Sequence, residues 1–90
     1  MLFIINKSPF ASKSLDSCLK IADEGDTILF IENGVCAVNL ENLDNVRKRG
    51  ITLYALKADV EARGISSSIP VIDYEGFVDL VEKDSVVSWI

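Results

Sequence analysis

The sequence predicts an α/β domain in three layers, α/β/α, built around a mostly parallel sheet of five short strands. Three observations carry this. Leu2 to Ile5, Ile28 to Ile31 and Leu53 to Leu56 are short, nearly continuous apolar runs, the pattern of strands covered on both faces. Segments with helical spacing separate them, and strand–helix–strand units in one sheet call for right-handed crossovers. With 90 residues, 49% of them apolar, five glycines and two prolines, the chain is sized for one domain spanning 1–90, without linker or repeat.

The elements follow in order. After the first strand, Leu15, Cys18, Leu19 and Ala22 recur at three- and four-residue spacing while Asp16, Ser17, Lys20 and Asp23 take other positions, so Ser14 to Asp23 is an amphipathic helix. Ser12 or Ser14 caps its start, and Gly25 with Asp26 closes its end before the second strand. Glu32, Asn33 and Gly34 then signal a turn, and Val35 to Val38 opens a short apolar segment read as a helix start. A helix around Leu43 to Arg49 ends at Gly50, ahead of the third strand. Ala58 to Arg63 makes one or two helical turns stopped by Gly64. Ser66 to Ser68 connects to a fourth strand, Ile69 to Ile72, where Pro70 favours a sheet edge or a strand start. Asp73 caps a last helix with Phe77, Val78, Leu80 and Val81 on its apolar side, and Val86 to Ile90 supplies a fifth extended segment.

Charge and composition exclude several functions. The formal charge is −5 and the longest basic run is Arg47-Lys48-Arg49, so no phosphate track for direct nucleic-acid binding is expected. The apolar start, Met1 to Ile5, stops at Asn6 and Lys7, well short of a signal-peptide core or a membrane span, which predicts a cytoplasmic protein with no membrane association. There is no histidine, and two cysteines cannot complete a four-thiolate zinc site, so no metal is expected. Asn6-Lys7-Ser8-Pro9-Phe10 lacks the glycines of a phosphate loop, and Asn6 and Lys57 stand where a phospho-acceptor domain needs carboxylates. No cofactor is expected.

Sites in such folds gather at the carboxyl ends of the strands. Here those are Asn6 to Phe10, Glu32 to Cys36, Lys57 to Asp59, and Asp73 to Tyr74. Cys36 belongs to this set, and amides at a helix start would favour its thiolate; Val35, Ala37 and Val38 equally suit a small buried hydrophobe. Cys18 shares the apolar face of the first helix, so burial is the simpler reading for it. A disulfide between them is not expected in a reducing compartment. Asp16, Asp23, Glu24 and Asp26 read as a solvated acidic cluster, and Lys57, Asp59, Glu61 and Arg63 as an exposed short helix whose Arg63 could pair with a carboxylate across an interface. Tyr54, Tyr74, Phe77 and Trp89 read as core or subunit contacts, with Trp89 and Ile90 the best candidate for an apolar surface that a partner covers.

Taken in order, Asn6-Lys7-Ser8-Pro9-Phe10, Leu15 to Asp26 (LDSCLKIADEGD), Ile31-Glu32-Asn33-Gly34-Val35, Tyr54-Ala55-Leu56, Asp59, Ala62-Arg63-Gly64, Ile72-Asp73-Tyr74, Phe77-Val78 and Trp89 resemble the DsrH/TusB family over nearly the whole chain. The resemblance implies a flavodoxin-like subunit of a sulfur-relay assembly, a heterohexamer with DsrE/TusD-like and DsrF/TusC-like subunits. Such assemblies pass persulfide sulfur either toward 2-thiolation of the tRNA wobble uridine or into cytoplasmic sulfur oxidation, and the main sulfur-carrying cysteine belongs to the DsrE/TusD-like subunit. This chain would then be auxiliary, at most a sulfurtransferase component. Cys18 falls where DsrH-type members carry a cysteine and is a candidate secondary sulfur acceptor. Cys36 has no counterpart in the family pattern and is the weaker candidate. A self-sufficient thiol sulfurtransferase and a purely structural homo-oligomer are the rival readings.

Overall fold

The computed structural model describes residues 1–84 and the backbone of Val86–Trp89. The elements run β1 (Leu2–Ile5), α1 (Ser14–Ile21), β2 (Thr27–Phe30), a 3-10 turn (Glu32–Ala37), α2 (Leu43–Lys48), β3 (Thr52–Leu56), α3 (Lys57–Ala62), β4 (Val71–Ile72), α4 (Tyr74–Lys83) and β5 (Val86–Trp89). Four strands, β1 to β4, lie parallel in the order β4-β3-β2-β1, and the backbone of β5 pairs in parallel on the far side of β1, Leu2 opposite Val86. This order departs from the 2-1-3-4-5 order of flavodoxin-like sheets, which corrects that part of the expectation.

The order explains where the helices go. Each step from β1 to β4 moves to the next strand in one direction, so right-handed crossovers put the intervening helices on one face; the step from β4 to β5 runs back across the sheet and puts α4 on the other. On the first face Leu15 and Cys18 of α1, Leu43 and Val46 of α2, and Val60 of α3 pack with Phe3, Ile5, Ile28, Phe30, Leu53 and Ala55. On the second, Leu2, Ile4 and Leu29 are buried, and Phe77, Leu80 and Val81 of α4 pack against them while staying partly exposed. Full burial of an aliphatic or aromatic side chain contributes roughly 1.5–3 kcal/mol, so Phe30, Ile5, Ile28 and Leu29, all fully buried, anchor the fold.

Several boundaries move for local reasons. α1 stops at Ile21 because Ala22 is extended (φ −69°, ψ 143°), and the Arg49 guanidinium donates to the freed carbonyls of Leu19 (3.1 Å) and Ala22 (2.7 Å). At its start, Lys13 is the N-cap without a side-chain cap bond, and the Ser12 hydroxyl accepts from the Ser14 amide at 3.2 Å. β4 is shorter than expected because Ile69 turns into the core while Pro70, which has no N–H, keeps only its carbonyl in the ladder, accepting from Ala55. The Asp73 cap forms as expected, its carboxylate accepting from the Gly76 amide at 2.9 Å. Among the described residues no helix is long and apolar enough to cross a membrane.

Candidate functional site

The carboxyl ends of β1, β2 and β3 meet at one place. Ile5 ends β1, and its carbonyl accepts from the Ile31 amide at 2.9 Å as the chain leaves β2. The 3-10 turn then passes directly over β1. A Cβ on Gly34 would stand 2.1 Å from the Ile5 carbonyl oxygen and 3.4 Å from the Asn6 nitrogen, so only glycine lets the two backbones come this close. The Asn6 side-chain oxygen at this edge is buried, with no hydrogen-bond partner among the described residues.

A polar latch joins this turn to α3. Glu32 takes a left-handed backbone conformation (φ 48°), and its amide donates to the Asp59 carboxylate at 2.7 Å. The other Asp59 oxygen lies 3.7 Å from the Arg63 guanidinium, which donates to the Asp59 carbonyl (3.3 Å) and to the Asn33 side-chain oxygen (3.1 Å). α3 begins at Lys57 with no loop after β3, which is what places Asp59 against the neighbouring turn. The short helix is exposed as expected at Lys57, Glu61 and Arg63, with a Lys57–Glu61 pair at 3.9 Å, but the carboxylate that Arg63 meets is Asp59 of its own chain. The Asp59–Arg63 spacing is the i, i+4 pairing of a helix, and that spacing was the sequence signal for the contact. Asp59→Ala is expected to cost about 1–2 kcal/mol, because it strips the acceptor from the left-handed Glu32 amide and the carboxylate from Arg63. Urea denaturation checks this, with Asp59→Asn expected to fall between the two; an unchanged midpoint in the alanine variant refutes the latch.

The latch region includes one of the two cysteines. Cys36 is partly exposed, but it sits in the second half of the 3-10 turn. The first amide of that turn donates to Asp59 and is not open toward Cys36. Cys18 lies away from this edge, fully buried on α1 among core residues that include Leu15, Ala22 and Phe3. Burial pushes its thiol up to about 11, with the nearby Asp26 charge adding to the effect. Both thiols are free.

Other predicted features lie elsewhere. The acidic residues after α1 tie the turn into β2: Asp26 accepts from the Asp23 amide (2.8 Å) and from the Met1 ammonium (3.0 Å), and Asp23 accepts from the Glu24 amide (3.1 Å). These bonds, the Asp23 amide foremost, hold the Asp26 carboxyl below its usual range. Arg49 as the support of α1, and Asn39 and Ser68 bridging the end of the 3-10 turn to the segment before β4, were not foreseen; Ser68 donates to the Val38 carbonyl at 2.7 Å. The Trp89 side chain and Ile90 lie outside the described residues. Among the described residues no group of three or more Cys, Asp or Glu is placed to hold a metal ion.

The chain is similar to known proteins in sequence and in fold. The family model described as DsrH like protein matches residues 7–87. Protein TusB of Photorhabdus laumondii is 40% identical over 89 residues, covering 92% of this chain and 93% of that protein. Protein TusB of Serratia proteamaculans is 38% identical over 96 residues, covering 99% of this chain and 100% of its own. Protein Tm0979 of Thermotoga maritima, solved in solution by NMR, superposes with a TM-score of 0.69 at 31% identity, covering 93% of this chain and 94% of the other.

Proposed function

This chain belongs to the DsrH like family, and from that premise we propose that it is an auxiliary subunit of a persulfide-relay complex of the kind that serves 2-thiolation of the tRNA wobble uridine. The TusB relatives favour this branch over the sulfur-oxidation one. In this reading residues 1–90 make a single cytoplasmic domain, an α/β/α sandwich completed by a fifth strand, and it docks beside DsrE/TusD-like and DsrF/TusC-like subunits in a heterohexamer. In the relay, a donor persulfide gives its outer sulfur to an acceptor thiolate; the sulfur–sulfur bond of the donor breaks, a new one forms on the acceptor, and the donor leaves as a thiolate.

One observation carries the auxiliary role: Cys18, the thiol at the family position, is fully buried and holds its proton well above neutral pH, the reverse of what an attacking thiolate needs. Cys36, partly exposed, is the better placed of the two to receive sulfur, and its exposure is what favours the rival reading of a self-sufficient sulfurtransferase.

The test is to incubate the three co-expressed subunits with a sulfane-sulfur donor and map persulfides by mass spectrometry. The expected label sits on the DsrE/TusD-like subunit, with Cys18 unlabelled. Stoichiometric label on Cys36 of the isolated chain would replace this reading with the sulfurtransferase.

A further inference from the structure

Phe77, Leu80 and Val81 turn one side of α4 toward the sheet, and the other side is left uncovered. There Tyr74 is 69% and Val78 47% exposed, and Val71 at the β4 edge is 42% exposed. Tyr74 and Val78, four residues apart, form one stripe; Glu75, Asp79 and Glu82 form the next. Together these five residues line an open groove of about 420 Å³ in which every charged group is a carboxylate. The Tyr74 ring lies beside the Phe77 ring (centroids 6.2 Å apart), which continues the apolar stripe toward the sheet.

We propose that this face docks a protein surface with an apolar centre ringed by lysine and arginine. Tyr74 and Val78 supply the dry middle, and the three carboxylates supply a rim that selects the opposite sign. A second copy of this chain is disfavoured, because a two-fold contact would set one carboxylate rim against another. Nucleic-acid phosphates are repelled for the same reason. The formal charge of −5 adds attraction toward a basic partner at distances beyond contact.

The inference rests on the reading of this chain as a docked subunit, and the experiment separates the two. The chain is co-expressed with DsrE/TusD-like and DsrF/TusC-like subunits as wild type, as Tyr74→Ala, and as the triple variant Glu75→Lys, Asp79→Lys, Glu82→Lys; recovery of the complex is measured at low and high salt. All four positions are exposed, so circular dichroism should show wild-type folding in each variant. At least a tenfold loss of recovery is expected in the triple variant, a smaller loss in Tyr74→Ala, and a wild-type complex that weakens with salt. Wild-type recovery in both variants overturns the docking surface and leaves the subunit reading intact. A wild-type chain that joins neither subunit overturns both. If the isolated chain self-associates and Val78→Asp makes it monomeric, the occupant is a second copy and the proposal is wrong.

Discussion

Gly34→Ala is expected to destabilise the fold by about 3 kcal/mol, at or above the upper end of overpacking costs, since the clash is with backbone and not with a side chain that can swing aside. The added methyl would sit 2.1 Å from the Ile5 carbonyl oxygen and 2.9 Å from its carbon. Neither atom has room to retreat. Ile5 is fully buried in β1, between β2 and β5, and its carbonyl is held by the Ile31 amide. The 3-10 turn must lift instead, carrying Asn33 away from Arg63 and Glu32 away from Asp59. The contrast is Gly64, which needs its freedom for a positive φ (62°) but has open space around it; alanine there should cost only about 1 kcal/mol. Urea titration of both variants distinguishes a steric requirement from a conformational one. Equal midpoint shifts would show that the close approach to β1 is not what demands glycine at position 34.

Cys18 in the folded chain is expected to react with iodoacetamide at least a hundredfold more slowly than an ordinary thiol at pH 8. Its proton leaves only at about 11, against an unperturbed value of 9, and the buried sulfur is also out of reach of the reagent. Cys36, partly exposed, serves as the reference in the same sample, read site by site by mass spectrometry. The linked effect on stability has a definite sign. The fold favours the protonated thiol, so this contribution is complete below about pH 9 and is lost as pH rises toward 11. Cys18→Ala should flatten the stability profile across that window. Labelling of Cys18 in the native chain as fast as in the urea-unfolded chain would remove the main support for its passive role.

The strands were legible because a strand covered on both faces must be apolar at every position, and Leu2 to Ile5 and Ile28 to Ile31 read that way without periodicity. Asp73 was legible because a carboxylate one residue before an amphipathic run has an amide to cap. The order of the strands was not, since a local pattern says which segments pair but not on which side each neighbour lies. The flavodoxin-like label implied by the resemblance did not supply it either, since the observed order β4-β3-β2-β1-β5 is a different one. At the candidate site the pieces were visible separately. Glu32-Asn33-Gly34 read as a turn and Asp59 and Arg63 as a helix surface, yet that they form one latch depends on β2 and β3 being neighbours in register. Cys36 lies in the segment expected, but short apolar residues after a glycine suit a 3-10 turn as well as the start of an α-helix, and only the hydrogen bonds tell them apart.

That β5 lies beside β1 bears on how the chain is made. Leu2–Ile5 is made before either of its neighbours in the sheet, and one of its edges can pair with β2 early. The other edge must wait for all the intervening elements, α1 to α4, before its proper neighbour exists. Until that pairing forms, an apolar strand presents open amides and carbonyls to any passing chain, so closing the sheet on this side is an entropically costly, long-range event and the open edge is a point exposed to aggregation.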